Sequence, residues 1–286
     1  MTNILVTGAT GFIGSYFIDK YDEKYNIKTF SFVNDDFCSI EFNKINTIIH
    51  LSALVHQMFG GSKEEYEKVN VTQTLQLVEK AKENGVKHFI FMSTVKVYGE
   101  ETEIIYNEKS ICTPVDDYGK SKLKSELKLQ KLEDENFKIS IIRTPIVYGY
   151  GVKGNMGNLI NLIKKVPILP FAKINNKRSM VNIGNLCHLV DVLIEKKKSG
   201  VYLASEDIPL STTSLIQLIS KELNKKVYLL KVPFFENLLK LIKPSLVKRL
   251  YGSLEVDNSY TKKDLEFRNL YTIEEGIHYM IHGKNK

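Results

Sequence analysis

From residue 3 to about 145, apolar runs of strand length alternate with stretches whose apolar positions repeat at helical spacing. The strand-length runs are residues 3–7, 27–33, 47–51, 88–92 and 139–143. Residues 64–84 carry Val71, Leu75 and Val78 on one helical face, and Gly85 stands where a C-terminal cap would stop that helix. Leu123 and Leu127 mark another helix, opening near Tyr118. This alternation predicts an α/β fold of the Rossmann type, a doubly wound parallel sheet with helices on both faces. The link between the second and third runs is short, so any strand within it must be brief or missing.

Past Tyr148-Gly149 the pattern loosens into segments bearing Gly151, Gly154, Asn155, Gly157, Pro167 and Pro170 before helical runs resume. That shift marks entry into a smaller α/β lobe suited to a substrate. Residues 181–194 read as strand then helix and return to the first lobe. The expected division is residues 1–148 plus about 179–200 for the nucleotide-binding domain, and about 149–178 and 201–286 for the second lobe.

At 286 residues and 43% hydrophobic, the chain can bury one full core. Its formal net charge of +7 comes from scattered lysines, with Lys196-Lys197-Lys198 the tight cluster. No aromatic interleaving or basic amphipathic stripe accompanies them. They read as solvated helix surface, with no nucleic acid or membrane as partner, although the sign suits a phosphorylated substrate. Cys38, Cys112 and Cys187 fit neither a metal site nor a disulfide framework, so reduced thiols and no metal are expected. The chain opens directly into Ile4-Leu5-Val6 without a charged-then-apolar leader, and no apolar run approaches the ~20 residues needed to cross a bilayer. The expectation is a cytoplasmic protein without membrane insertion.

Chemistry enters with Gly8-Ala9-Thr10-Gly11-Phe12-Ile13-Gly14, placed after a strand and opening a helix. In that context glycines permit the tight turn, the close approach of backbone to a pyrophosphate and tight helix–strand packing, while the helix N-terminus favours the phosphates. An acid roughly 20 residues on would bond the ribose 2′-hydroxyl of NAD, and an arginine would favour NADP. The segment Phe32-Val33-Asn34-Asp35-Asp36 has no arginine and its acids come late, so Asp35 or Asp36 either bonds adenosine or sits in a solvated turn, and NADH versus NADPH stays open. Tyr118 and Lys122 lie one turn apart, where an ammonium beside a phenol of ordinary pKa ~10 stabilises the phenolate. Ser93 and Thr94 end a buried strand at its carboxyl side, where ligands of open α/β sheets sit; either hydroxyl serves a substrate or caps the strand.

Together with Ser93-Thr94-Val95-Lys96-Val97-Tyr98-Gly99 and Arg143-Thr144-Pro145-Ile146-Val147-Tyr148-Gly149, these motifs resemble the extended short-chain dehydrogenases/reductases, the NAD-dependent epimerase/dehydratase family typified by UDP-galactose 4-epimerase. The resemblance implies that Thr94, Tyr118 and Lys122 are catalytic. It places an NAD(P)(H) cofactor against Gly8, Thr10, Gly11, Phe12, Ile13, Gly14, Asp35, Leu51, Ser52, Ala53, Asn70, Ser93, Tyr118, Lys122 and Pro145. It also implies a UDP-activated sugar held by Thr94, Tyr118, Asn155, Asn158, Arg178 and Arg249, the asparagines being turn or cap residues otherwise, and a homodimer paired through the helix of Tyr118. The segments 151–155, 176–179 and 252–257 look like bacterial surface-polysaccharide enzymes that reduce UDP-4-keto-6-deoxy-N-acetylhexosamines to UDP-N-acetylfucosamine or UDP-N-acetylquinovosamine. The leading expectation is therefore that 4-ketoreductase. The alternatives are a UDP-hexose or UDP-N-acetylhexosamine 4-epimerase using the same residues and a non-catalytic nicotinamide-binding module.

Overall fold

The computed structural model describes residues 1–55, 61–100 and 102–283. Six strands, β1 (Asn3–Thr7), β2 (Asn26–Phe30), β3 (Thr47–His50), β4 (His88–Thr94), β5 (Lys138–Thr144) and β6 (Gly200–Leu203), form one sheet in the order β2-β1-β3-β4-β5-β6. All neighbours are parallel. Strand order reverses between β1 and β3, which is where a crevice opens at the carboxyl ends.

Successive strand residues point to opposite faces, and both faces are covered, so the strands are apolar throughout. Ile4, Val6, Ile49, Ile90 and Ile142 meet helices α1 (Phe12–Tyr21) and α6 (Ile183–Lys196) through Phe17, Leu186 and Val190. On the other face Leu5, Ile48, Phe89, Phe91 and Ile141 meet α3 (Gln73–Glu83) and α4 (Asp117–Gln130) through Leu77, Val78, Ala81 and Leu129. A short α2 (Lys63–Tyr66) runs into α3 through a π-helical stretch, Glu67–Thr72. Gly85 ends α3 at φ +82°, the left-handed position expected of it.

Two strands differ from their predicted lengths. β2 stops at Phe30 because the Asp35 carboxylate accepts the Ser31 N–H at 2.7 Å and closes a turn, leaving Val33 exposed. β4 continues to Thr94, which pairs with Thr144, so both hydroxyl residues belong to the strand itself. Between β2 and β3 the described chain makes two 3-10 turns, Phe37–Ser39 and Phe42–Lys44, and no strand.

The second lobe centres on α5 (Gly154–Lys165), α7 (Thr212–Glu222) and α11 (Ile273–His282), packed through Met156, Ile163, Ile216, Ile219 and Ile277. Also in this half are α8 (Phe235–Ile242), α9 (Pro244–Tyr251) and α10 (Ser259–Leu265). The boundary expected at residue 201 needs correction. β6 is a strand of the main sheet, and Leu265 and Phe267 pack into the core beside Ile4 and Leu193. Apolar complementarity to the sheet, invisible in local composition, draws both segments back. A buried carboxyl, Glu206, ties the lobes: it accepts from the Asn182 N–H at 2.5 Å and from Asn185, and Tyr148 lies against it. Burial raises its pKa to about 7.

Candidate active site

Backbone geometry explains the glycine turn. Gly8 adopts φ +70°, and a Cβ there would lie 2.8 Å from the Leu51 carbonyl carbon and the Ser52 nitrogen. One on Gly14 would lie 2.3 Å from the Gly8 oxygen. Gly11 is the N-cap of α1 with no side chain taking the first-turn amides and no acid in that turn. Phe12 and Ile13 pack their side chains on the core while Thr10 is exposed, so backbone N–H groups are the polar offering of the turn. A pyrophosphate, which needs close backbone approach and a helix N-terminus, fits this cradle.

The next loop, Leu51 to Leu54, is held from beneath by a directed chain of hydrogen bonds. Thr74 Oγ1 gives its proton to the Asn70 carbonyl at 2.7 Å, so it accepts from His50 Nε2 at 2.8 Å. His50 Nδ1 therefore accepts from Thr7 Oγ1 at 2.7 Å, and Thr7 Oγ1 accepts the Ser52 N–H at 3.2 Å. The imidazole must be neutral for this, and burial, then the charge of Lys122, lowers its pKa to about 3. Asn70 accepts from Leu54 N at 2.8 Å and donates to Leu54 O at 3.0 Å and to Ser121 Oγ at 2.9 Å. It thus couples the loop containing Ser52 and Ala53 to α4. The π-helical stretch that presents it is a geometry frequent at functional sites.

Helix α4 starts because Asp116 accepts the Gly119 N–H at 2.7 Å, while its other oxygen pairs with Lys96. Tyr118, half-buried, lies 6.3 Å from the Tyr66 ring, centroid to centroid. Burial, then Asp116 and Tyr66, pushes its pKa up. One turn on, Lys122 is 2% exposed, donates to the Met92 carbonyl at 2.8 Å and lies 4.4 Å from the Phe91 ring centroid. Burial, opposed by Glu126, brings its pKa from 10.5 down to about 7. Lys122 is thereby fixed two residues before Thr94, so the strand end and the Tyr118 helix meet at the carboxyl edge of the sheet. Thr94 accepts the Lys96 N–H at 3.3 Å, the strand-capping role, and its side chain is nearly buried. Pro145 follows on the adjacent strand and is buried.

Ser93 is placed differently from its expected cofactor contact. Its hydroxyl donates to Glu126, which forms a buried fork with Arg143, Nη2 to Oε2 at 2.6 Å. Arg143 also donates to Tyr98 Oη at 2.7 Å. Sequence reasoning missed Glu126, and it missed His50 and Thr74. The available signal was a single charge inside an apolar pattern: Arg143 in β5, and Glu126 one turn beyond Lys122.

In the second lobe, Arg178 donates to the carbonyls of Lys248, at 3.3 Å, and Gly252, at 3.1 Å, while Arg249 donates to Asn155 Oδ1 at 3.3 Å. Three of the four substrate residues expected in this lobe, Asn155, Arg178 and Arg249, therefore meet at the C-terminal end of α9, and Asn158 lies exposed one turn beyond Asn155 on α5. Lys248 reaches Glu100 at 3.6 Å, and Glu100 is 3.9 Å from Lys96, which joins this group to the loop after β4. Asp35 closes its turn and Asp36 accepts the Cys38 N–H at 3.0 Å, both acids standing exposed.

A dinucleotide cradle, a Tyr–Lys pair and a strand-end threonine at one sheet edge define a nicotinamide-dependent Rossmann protein. The chain belongs to the NAD dependent epimerase/dehydratase family, whose model matches residues 4–204. It is 35% identical to a UDP-glucose 4-epimerase of Vibrio cholerae, covering 96% of this chain and 93% of that one. It is 26% identical to an N-acetyl-alpha-D-glucosaminyl-diphospho-ditrans,octacis-undecaprenol 4-epimerase of Escherichia coli O157:H7, covering 81% and 76%. In fold it matches a UDP-N-acetylglucosamine 4-epimerase of Methanobrevibacter ruminantium, TM-score 0.80 at 18% identity over 99% and 97% of the two chains.

Proposed function

We propose that this protein is an NAD-dependent 4-epimerase of a UDP-linked hexose or N-acetylhexosamine. The observation that carries the reading is end-to-end similarity to the Vibrio cholerae enzyme; Thr94, Tyr118 and Lys122 are the residues assigned to the chemistry. It supports the epimerase better than the 4-ketoreductase expected from the shorter motifs. Bound NAD would supply the hydride acceptor and donor for C4 of the sugar. Tyr118 takes the proton of the C4 hydroxyl and returns it, and Thr94 hydrogen-bonds the same oxygen. Because burial pushes the Tyr118 phenol up, its phenolate depends on a nearby positive charge, and Lys122 is the cation one turn away. Arg178 and Arg249 face the diphosphate, where bidentate guanidinium geometry suits phosphate oxygens.

One observation favours reduction as a second reading. Both Asp35 and Asp36 are committed to turns, which leaves adenosine without a preplaced carboxylate and suits a cofactor that departs after each turnover. The deciding experiment supplies UDP-glucose and UDP-N-acetylglucosamine without reductant, and in parallel a UDP-4-keto-6-deoxy-N-acetylhexosamine with NADH or NADPH. Interconversion of 4-epimers supports the proposal; stoichiometric nicotinamide oxidation without interconversion replaces it with the reductase. In whichever reaction is found, Tyr118→Phe should lower kcat by ~10²–10⁴-fold, and near-full activity would remove Tyr118 from the mechanism.

A further inference from the structure

The sequence suggests no basic amphipathic stripe, yet α8 displays one. Phe234, the N-cap of α8 at φ +59°, precedes Leu238, Leu241 and Ile242, which recur at the i, i+3 and i+4 positions of one helical face. They are 81, 56, 85 and 66% exposed. The helix is anchored from its other side by Phe235, whose ring meets Phe171 in the second-lobe core at 6.2 Å. Lys231 precedes the helix, Lys240 lies on its polar side and Lys243 follows its end, all exposed. No carboxylate pairs with any of the three among the described residues. Beside the stripe a cavity of about 440 Å³ is lined by Lys173, Asn175, Lys231 and Phe234, with Glu236 the acid among its lining residues.

We propose that this face docks the protein on the surface of an anionic phospholipid bilayer, with the α8 stripe immersed at the headgroup boundary and a lipid phosphate drawn to the cavity of Lys173 and Lys231. An exposed apolar stripe on a helix that carries unpaired lysines on its polar side and at its ends suits such a surface, since burial of apolar area and attraction to anionic lipid act together. No described helix is long and apolar enough to cross a membrane, so the attachment is peripheral. Pro244 then starts α9, whose C-terminal end gathers Arg249, Asn155 and Arg178. Docking would therefore hold the sugar-binding mouth close to the lipid surface. The inference does not rest on which sugar reaction the site performs.

The test is sedimentation of the full chain with equimolar phosphatidylglycerol/phosphatidylcholine vesicles and with phosphatidylcholine vesicles alone. Enrichment on the anionic vesicles, weakened by high salt, is expected. Leu238→Glu combined with Leu241→Glu should lower the partition coefficient by ~10-fold or more, and Lys231→Gln with Lys240→Gln should remove the preference for anionic lipid. Circular dichroism and turnover of soluble substrate should match the wild type in both variants. Equal recovery in the supernatant with both vesicle types overturns the proposal, as does wild-type binding by the leucine variant. A wild-type dimer in sedimentation velocity that the leucine variant dissociates also overturns it, because the stripe would then be covered by a second copy.

Discussion

His50, Asn70, Lys122, Glu126 and Arg143 lie nearly sealed from water beneath the carboxyl edge of the sheet, whereas Leu238, Leu241 and Ile242 stand out in water on α8. In the first region polar groups are inside and each finds a partner: the imidazole between two threonines, the carboxylate between a serine and a guanidinium, the ammonium on a carbonyl. Burying such groups is costly unless they are paired. What the pairing secures is a single position for Asn70, Ser121 and the Tyr118 helix. In the second region apolar groups are outside, where they contribute little to folding. The two departures from the ordinary arrangement of residues mark the two places where chemistry or contact, rather than stability, sets the sequence.

That contrast can be broken most severely at Glu126. Glu126→Ala would strand the Arg143 guanidinium and should cost ~3–5 kcal/mol in denaturant unfolding; a loss near zero would mean that water already reaches the fork. Lys122→Met should act in the opposite direction. With its folded pKa near 7 and its usual value 10.5, the unfolded chain binds a proton that the folded chain releases between these limits. Wild-type stability therefore gains from Lys122 as pH rises from 7 to 10.5, and at or below pH 7 the buried charge is a full penalty. The methionine variant should be more stable at pH 7 by ~0.5–2 kcal/mol, should lose that advantage by pH 10, and should lose activity. Urea melts across that range check the sign; destabilisation at pH 7 would show that the bond to Met92 outweighs the desolvation. The smallest effect is expected at Leu241→Glu, within ~0.5 kcal/mol of wild type. A larger loss would make α8 a load on the fold and erase the difference between the two regions.

Much of the first lobe is legible because periodicity reports burial directly. β1, β3 and β5 fall within a residue of their predicted limits, and Gly85 caps where its position required. The ends of β2 and β4 were misjudged for a local reason: a side-chain-closed turn at Asp35 and the pairing of Ser93 and Thr94 with Arg143 and Thr144 both overrule residue type. The glycine cradle, Tyr118, Lys122 and Thr94 could be found because they are spaced along single elements. Glu126 with Arg143, and His50 with Thr74, could not, since each pair joins residues brought together only by the sheet and the helices on it. The α8 stripe escaped notice for another reason. Its apolar residues sit on both the inner and outer faces, so sequence alone cannot say which side the core takes.

The short link after β2 also bears on how the edge of the sheet is guarded. Where a further strand would lie, β2 is the sheet's last strand, with a row of backbone groups available to any passing extended chain. The two 3-10 turns cover one face of that strand and set a charged pair beside the edge: Phe37 meets both Phe30 and Phe42 at 6.0 Å, and Glu41 bridges Lys28 at 3.2 Å. Lesions in this link should accordingly show themselves first as edge-to-edge aggregation, before any loss of ligand recognition.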